Sequence, residues 1–171
     1  MGFEEELERV YLDAVRYSRG LAGSETDGDD LLQDALVRAW RAYPRLRNPG
    51  QFKFWLLKII RNAHRNRARK ARIRRWLSLD RAADVPAREG IAFEEKEAVR
   101  QALKGVPRHQ REALVLYEVV GMSIEEIARL QGVTVSGAKS RLTRGRVRLR
   151  EVYEQLTGEE GDHAALFVRA N

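Results

Sequence analysis

The sequence predicts an all-α fold: two small helical domains joined by a flexible linker. Three observations predict it. Apolar residues return every three or four positions through most of the chain, which is the period of a helix with one buried face. No segment shows a convincing strand pattern; Val115 to Val120 is rich in β-branched residues, but its neighbours are helical. One stretch, with Pro86, Gly90 and mixed charge, carries no stripe at all. The expected division is a first domain over residues 1–76, a linker over 77–94, a second domain over 95–156 and a tail over 157–171.

The elements follow in order. Phe3, Leu7, Val10, Ala14, Tyr17 and Leu21 lay one apolar stripe along a first helix, broken between Gly23 and Gly28. Asp27 or Asp29 is expected to cap a second helix, with Leu32, Leu36, Trp40 and Tyr43 on its inner face and Leu31, Ala35 and Ala39 beside them. Pro44 to Gly50 is a loop, with Asn48-Pro49-Gly50 as its turn. A third helix turns Phe52, Trp55, Leu56, Ile59, Ile60 and Ala63 inward and runs to about Arg75. Trp55 shares that face with Ile59, so packing suits it better than stacking on a base. Helices resume near Phe93, where Val99, Leu103 and Val106 lead to Pro107, and continue over 108–120, 123–131 and 134–156.

Composition limits the chemistry. The 171 residues contain no Cys, which excludes disulfides and thiolate metal sites. His64, His109 and His163 are far apart and form no metal motif, so no cofactor is expected. No apolar run approaches the roughly 18 residues of a membrane helix, and the start, Met1-Gly2-Phe3-Glu4-Glu5-Glu6, lacks the basic-then-apolar order of a signal peptide. The expectation is a cytoplasmic protein without membrane insertion. Net charge is +7, and it is unevenly spread. Residues 1–34 hold ten acids and three bases; between Asp34 and Asp80 there are fourteen Lys or Arg and no acid. Between Glu126 and Glu151 there are seven bases and again no acid. A solvated helix face usually mixes signs, so two single-sign blocks point to two contacts with a polyanion. An enzyme needs clustered carboxylates, a nucleophile with helpers or a metal set; the acids avoid the basic blocks, and no such cluster is visible.

The sharpest local pattern runs from Gly121 to Leu142. Ser123 and Glu126 have the spacing of a capping box. Ile124, Ile127, Ala128 and Leu130 form an apolar face, Gly132 can end that helix, and Thr134 can cap the next. Val135, Ala138 and Leu142 then pack back. This is the pattern of a helix-turn-helix. It leaves Ser136, Gly137, Lys139, Ser140, Thr143 and Arg144 facing outward at the start of the second helix, the part that enters a major groove. Lys and Arg can read guanine there. Arg141, Arg146, Arg148 and Arg150 suit phosphates. Gly137 is unusual inside a helix, and close approach to DNA or to the preceding helix would account for it.

Three segments together resemble a known family. Asp29-Asp30-Leu31-Leu32-Gln33-Asp34-Ala35-Leu36-Val37-Arg38-Ala39-Trp40 resembles the region 2 signature of bacterial RNA polymerase sigma factors. Phe54-Trp55-Leu56-Leu57-Lys58-Ile59-Ile60-Arg61-Asn62 is similar to the family's next helix, and Leu103-Lys104-Gly105-Val106-Pro107 through Arg148 to its region 4. No space remains for the middle domain of larger members, which points to the extracytoplasmic-function (ECF) class. The resemblance implies roles. Asp29, Asp30, Gln33, Asp34 and Val37 would bind the β′ clamp helices of core RNA polymerase, and region 4 would meet the β flap. A flipped minus-ten base would lie among Leu46, Arg47, Asn48, Ile59, Asn62 and Asn66, with Lys58, Arg61, Arg65 and Arg69 on the phosphates. The minus-thirty-five element would meet Ser136, Gly137, Lys139, Ser140, Arg141, Thr143, Arg144 and Arg146. Asp84, Glu89, Glu94 and Glu95 of the linker would enter the polymerase channel. Many relatives are held by an anti-sigma factor, for which linker and tail are candidate contacts. The alternative is a helix-turn-helix regulator that works without polymerase.

Overall fold

The structure, a computed structural model, describes residues 2–77 and 95–158, and its regular elements are all helical. The linker and tail readings, Asp84, Glu89 and Glu94 among them, fall outside the described residues.

Helix α1 (Phe3–Ala22) opens with Glu4, Glu5 and Glu6, which favour the positive end of the helix dipole. The Glu5 carboxylate also accepts from the Gly2 N–H at 3.1 Å. Gly23, at φ +80°, ends α1 in the left-handed region. Helix α2 (Glu25–Ala42) starts at once. Its cap is Ser24, whose Oγ accepts from the Asp27 N–H at 3.1 Å, and not Asp27 or Asp29 as the sequence suggested. The break is correspondingly narrower, and Gly28 lies inside α2. A Cβ at Gly28 would stand 2.5 Å from the Arg19 Cα, so α1 and α2 cross backbone to backbone there. Two short 3₁₀ turns, Tyr43–Arg45 and Pro49–Gln51, lead to α3 (Phe52–Leu77).

The core of this unit is Tyr17, Leu21, Leu31, Ala35, Phe52, Leu56, Leu57 and Ile60, all essentially without solvent contact. Phe3 meets Trp40, Tyr43 and Phe52 edge to face at 5.4–5.6 Å, a geometry favoured by the ring quadrupole. Trp55 is half-buried against Phe52, a packing position. Trp40 departs from expectation. It touches Phe3 by one edge, yet remains 58% exposed, because the inner face of α2 is filled by Leu31, Leu32, Ala35 and Ala39.

The second unit contains α4 (Glu95–Lys104), α5 (Arg108–Leu114), α6 (Ile124–Gln131) and α7 (Val135–Thr157). Between α5 and α6 the chain widens into a π-turn at Val115–Val119, where the Val120 N–H reaches the Val115 carbonyl at 3.1 Å. Val99, Leu103, Val106, Leu114, Leu142, Leu149 and Tyr153 form a core of its own around α7.

The two units also share a core. Ala113, Val115, Leu116, Ile127 and Leu130 pack into the cluster that holds α1, α2 and α3 together. At the centre of the seam, α1 presents Gly20 to Val115; a Cβ at Gly20 would lie 2.7 Å from Val115 Cγ1. Around it, Glu25 pairs with Arg100, and the Arg129 guanidinium sits 5.3 Å above the Phe54 ring.

Candidate nucleic-acid interface

The turn between α6 and α7 is built by local chemistry. Ser123 Oγ accepts from the Glu126 N–H at 3.2 Å, and the Glu126 carboxylate accepts from the Ser123 N–H at 2.9 Å. That backbone donor holds the Glu126 carboxyl below its ordinary pKa. Gly132 takes φ +67° and ends α6, and Thr134 Oγ1 accepts from the Gly137 N–H at 3.0 Å to start α7. A Cβ at Gly137 would meet that same hydroxyl at 3.2 Å. The nearest neighbours of Gly137 are therefore Thr134 and Val133 rather than the preceding helix.

Ala138, Leu142 and Gly145 face inward from α7. Ser136, Lys139, Ser140, Thr143 and Arg144 are exposed, and neither Lys139 nor Arg144 has an ion pair among the described residues. Three other arginines of α7 are occupied. Arg141 donates to Gln131 Oε1 at 2.9 Å. Arg146 donates to Glu118 Oε1 at 2.6 Å and lies over the Tyr117 ring. Arg148 pairs with Glu151 at 3.1 Å.

On α3, Lys58, Asn62, Arg65, Asn66 and Arg69 are exposed. Asn62, Arg65, Asn66, Arg69 and Arg72 line an open cleft of about 830 Å³, whose far wall carries Arg108 of α5. The other residues named for the minus-ten base are placed otherwise. Leu46 and Ile59 pack half-buried against the core, and Asn48 Oδ1 accepts from the Gly50 N–H at 3.0 Å. Arg47 is exposed.

Arg61 is turned away from this face. Its Nε donates to Glu112 Oε1 at 2.7 Å, and its Nη2 reaches the Gln131 carbonyl at 3.3 Å. Glu112, only 6% exposed, also accepts from the Tyr17 hydroxyl at 3.0 Å and from Gln131 Nε2 at 3.0 Å. Burial, then the Glu112 charge, pushes the Tyr17 phenol well above its ordinary pKa, so it stays a donor. Beside this network His64 is pushed down to about 4 by burial and then by Arg111, Arg108 and Arg67. Sequence reasoning missed Glu112 and Tyr17. Tyr17 read as part of an apolar stripe. The one available signal was an acid following Arg108-His109-Gln110-Arg111, a segment otherwise basic.

The outer face of α2 divides its acids. Asp29 is gripped by Arg19 at 2.8 and 3.0 Å, which holds its carboxyl below the usual range. Asp34 pairs with Arg67 of α3 at 2.9 Å. Asp30 and Gln33 are exposed without such partners among the described residues, and Val37 is 52% exposed.

Comparison with known proteins places these surfaces in a family. Residues 7–74 match sigma-70 region 2, and residues 96–149 match sigma-70 region 4. The ECF RNA polymerase sigma factor SigM of Mycobacterium tuberculosis is 33% identical over 147 residues, covering 86% of this chain and 74% of the relative. The chain belongs to the ECF sigma factors. A probable RNA polymerase sigma factor, RfaY of Xanthomonas campestris, is 32% identical over 146 residues; these cover 80% of this sigma factor and 36% of that longer relative. Among solved structures, the sigma factor RpoE of Bartonella quintana, crystallised with the anti-sigma factor NepR, superposes with a TM-score of 0.72 at 30% identity. That match covers 89% of this sigma factor and 96% of the other.

Proposed function

We propose that this sigma factor docks on core RNA polymerase through the outer face of α2, takes the melted minus-ten strand on α3, and reads the minus-thirty-five element with the first turns of α7. One observation carries the proposal. Arg19, Arg61, Arg67, Arg100 and Arg146 are paired with acids of the fold, whereas Lys58, Arg65 and Arg69 on α3, and Lys139 and Arg144 on α7, are exposed without ion pairs among the described residues. Cations kept free on two separate faces suit phosphates. Asn62 and Asn66, one turn apart, add donors and acceptors that can meet an unpaired base edge. On α2, Asp30, Gln33 and Val37 offer a partly apolar, acidic strip for a basic partner helix, and exposed Trp40 one turn beyond Val37 extends it.

Phosphodiester synthesis belongs to the polymerase core; the sigma factor supplies recognition and strand capture in the cytoplasm, without a cofactor. Because the Bartonella quintana neighbour is held by an anti-sigma factor, such an inhibitor is included among its partners. The test is in-vitro transcription with purified core enzyme on a promoter library. Discrete start sites that depend on this chain are expected; no start site above core alone rejects the proposal. Asp30→Arg should weaken association with the core in a co-purification or anisotropy titration, and unchanged affinity removes the α2 assignment.

A further inference from the structure

We infer that Val135 is a specificity residue of α7, and that its methyl groups meet the C5-methyl of a thymine in the minus-thirty-five element; this rests on the sigma factor reading and deepens it. Helical spacing groups Val135 with Ala138 and Leu142 on the inward stripe of α7. The structure separates them. Ala138 and Leu142 are buried, while Val135 is 38% exposed and belongs to neither hydrophobic core. Val133, two residues earlier, does pack against the core. An isopropyl group therefore stands uncovered at the first position of α7, in the part of a recognition helix that enters the major groove.

The surroundings of Val135 direct it at a base edge. Thr134 Oγ1 accepts from the Gly137 N–H at 3.0 Å, so α7 is wound from Val135 onward. Gly137 has no side chain and is covered by Thr134 and Val133, so it offers no reading group of its own. Val135, Lys139 and Thr143, each four residues apart, form one exposed row, and Ser136, Ser140 and Arg144 form the row beside it. Five of these six side chains carry a hydrogen-bonding group and can meet a phosphate or a polar base edge. Val135 can do neither. In the major groove the thymine methyl is the apolar feature that a base pair presents. Valine packed on that methyl removes two apolar surfaces from water. Packed on any other base it covers polar atoms without bonding them.

The test uses holoenzyme assembled from this chain and core polymerase, on a promoter recovered from the library. Each thymine of the minus-thirty-five element is replaced in turn by uracil, which keeps every hydrogen-bonding atom and removes only the methyl. At one position the wild-type holoenzyme should bind about fourfold more weakly, the effect of about one buried methyl. With Val135→Ala, that position should accept uracil without further loss. A merely structural role for Val135 would weaken binding to thymine and uracil promoters alike. Val147→Ala is the control. Val147 is also exposed on α7, but it lies about 18 Å further along the helix at about 1.5 Å per residue, so the wild-type response to uracil should persist. An element without thymine, uracil accepted at every position, or a response that Val135→Ala leaves intact overturns the assignment; the last is the result expected if the Thr143 methyl makes the contact. Should the alanine variant not fold, Val135→Thr, which exchanges one methyl for a hydroxyl, should shrink the same response, and an undiminished response overturns the assignment equally. Holoenzyme that starts transcription at no discrete site rejects the sigma factor reading instead.

Discussion

Glu112, buried at 6% exposure, accepts hydrogen bonds from Tyr17, Arg61 and Gln131. Removing one donor from a satisfied buried carboxylate leaves part of its desolvation uncompensated. Tyr17→Phe should therefore destabilise the fold by about 1–2 kcal/mol in urea denaturation. His64 predicts a pH dependence. Its native pKa of about 4 lies below the ordinary value of about 6.5, so between these limits the unfolded chain binds a proton that the native chain does not. Stability is complete above pH 6.5 and declines as pH falls toward 4. From pH 7 to pH 5 the loss should be about 1–2 kcal/mol, and His64→Asn should flatten that limb in thermal melts. On α7 the residue scale separates two kinds of arginine. Lys139→Ala or Arg144→Ala, removing exposed cations, should weaken minus-thirty-five binding by about 1–3 kcal/mol. Arg146→Ala instead removes the Glu118 pair and the Tyr117 contact, so its first effect should be on the stability of the second unit.

At the scale of the element, the helix ends are the best-written part of the sequence. Ser123 with Glu126, Gly132 and Thr134 act on amides three residues away or on their own φ, and no distant residue is needed to recognise them. Ser123→Ala should cost about 1 kcal/mol of stability. The start of α2 was less legible, because Ser24, Asp27 and Asp29 are all good caps and only packing chooses among them. Gly28 makes the choice: its missing side chain lets α2 lie on the Arg19 backbone, which requires that the helix already be wound at that point. Gly28→Ala should destabilise by about 1–3 kcal/mol through overpacking, measured by denaturation, although alanine is otherwise the better helix former. Trp40 was misplaced for a related reason. Helical period gave its side of α2, but the small inner residues Ala35 and Ala39 bring that face so close to its neighbours that the indole is left at the rim.

For the whole molecule, the sequence by itself determined the helical class, the two units, the helix-turn-helix and the two acid-free blocks. All of these are written in short-range spacing or in running charge, and both survive without knowledge of the fold. Which cations remain free was decided by tertiary structure alone. Arg61 and Arg65 are four residues apart on one basic helix, and Arg141 and Arg144 three apart on another; their sequences look equivalent. Arg61 and Arg141 are drawn into a seam with Glu112 and Gln131, while Arg65 and Arg144 stay in solvent. The shared core between the units was equally hidden, since Val115 and Leu116 have the same apolar character whether they serve their own unit or the other. The physical reason is range: capping and periodicity act within one turn of helix, whereas a buried ion pair depends on partners 51 residues apart in the chain that only folding brings together.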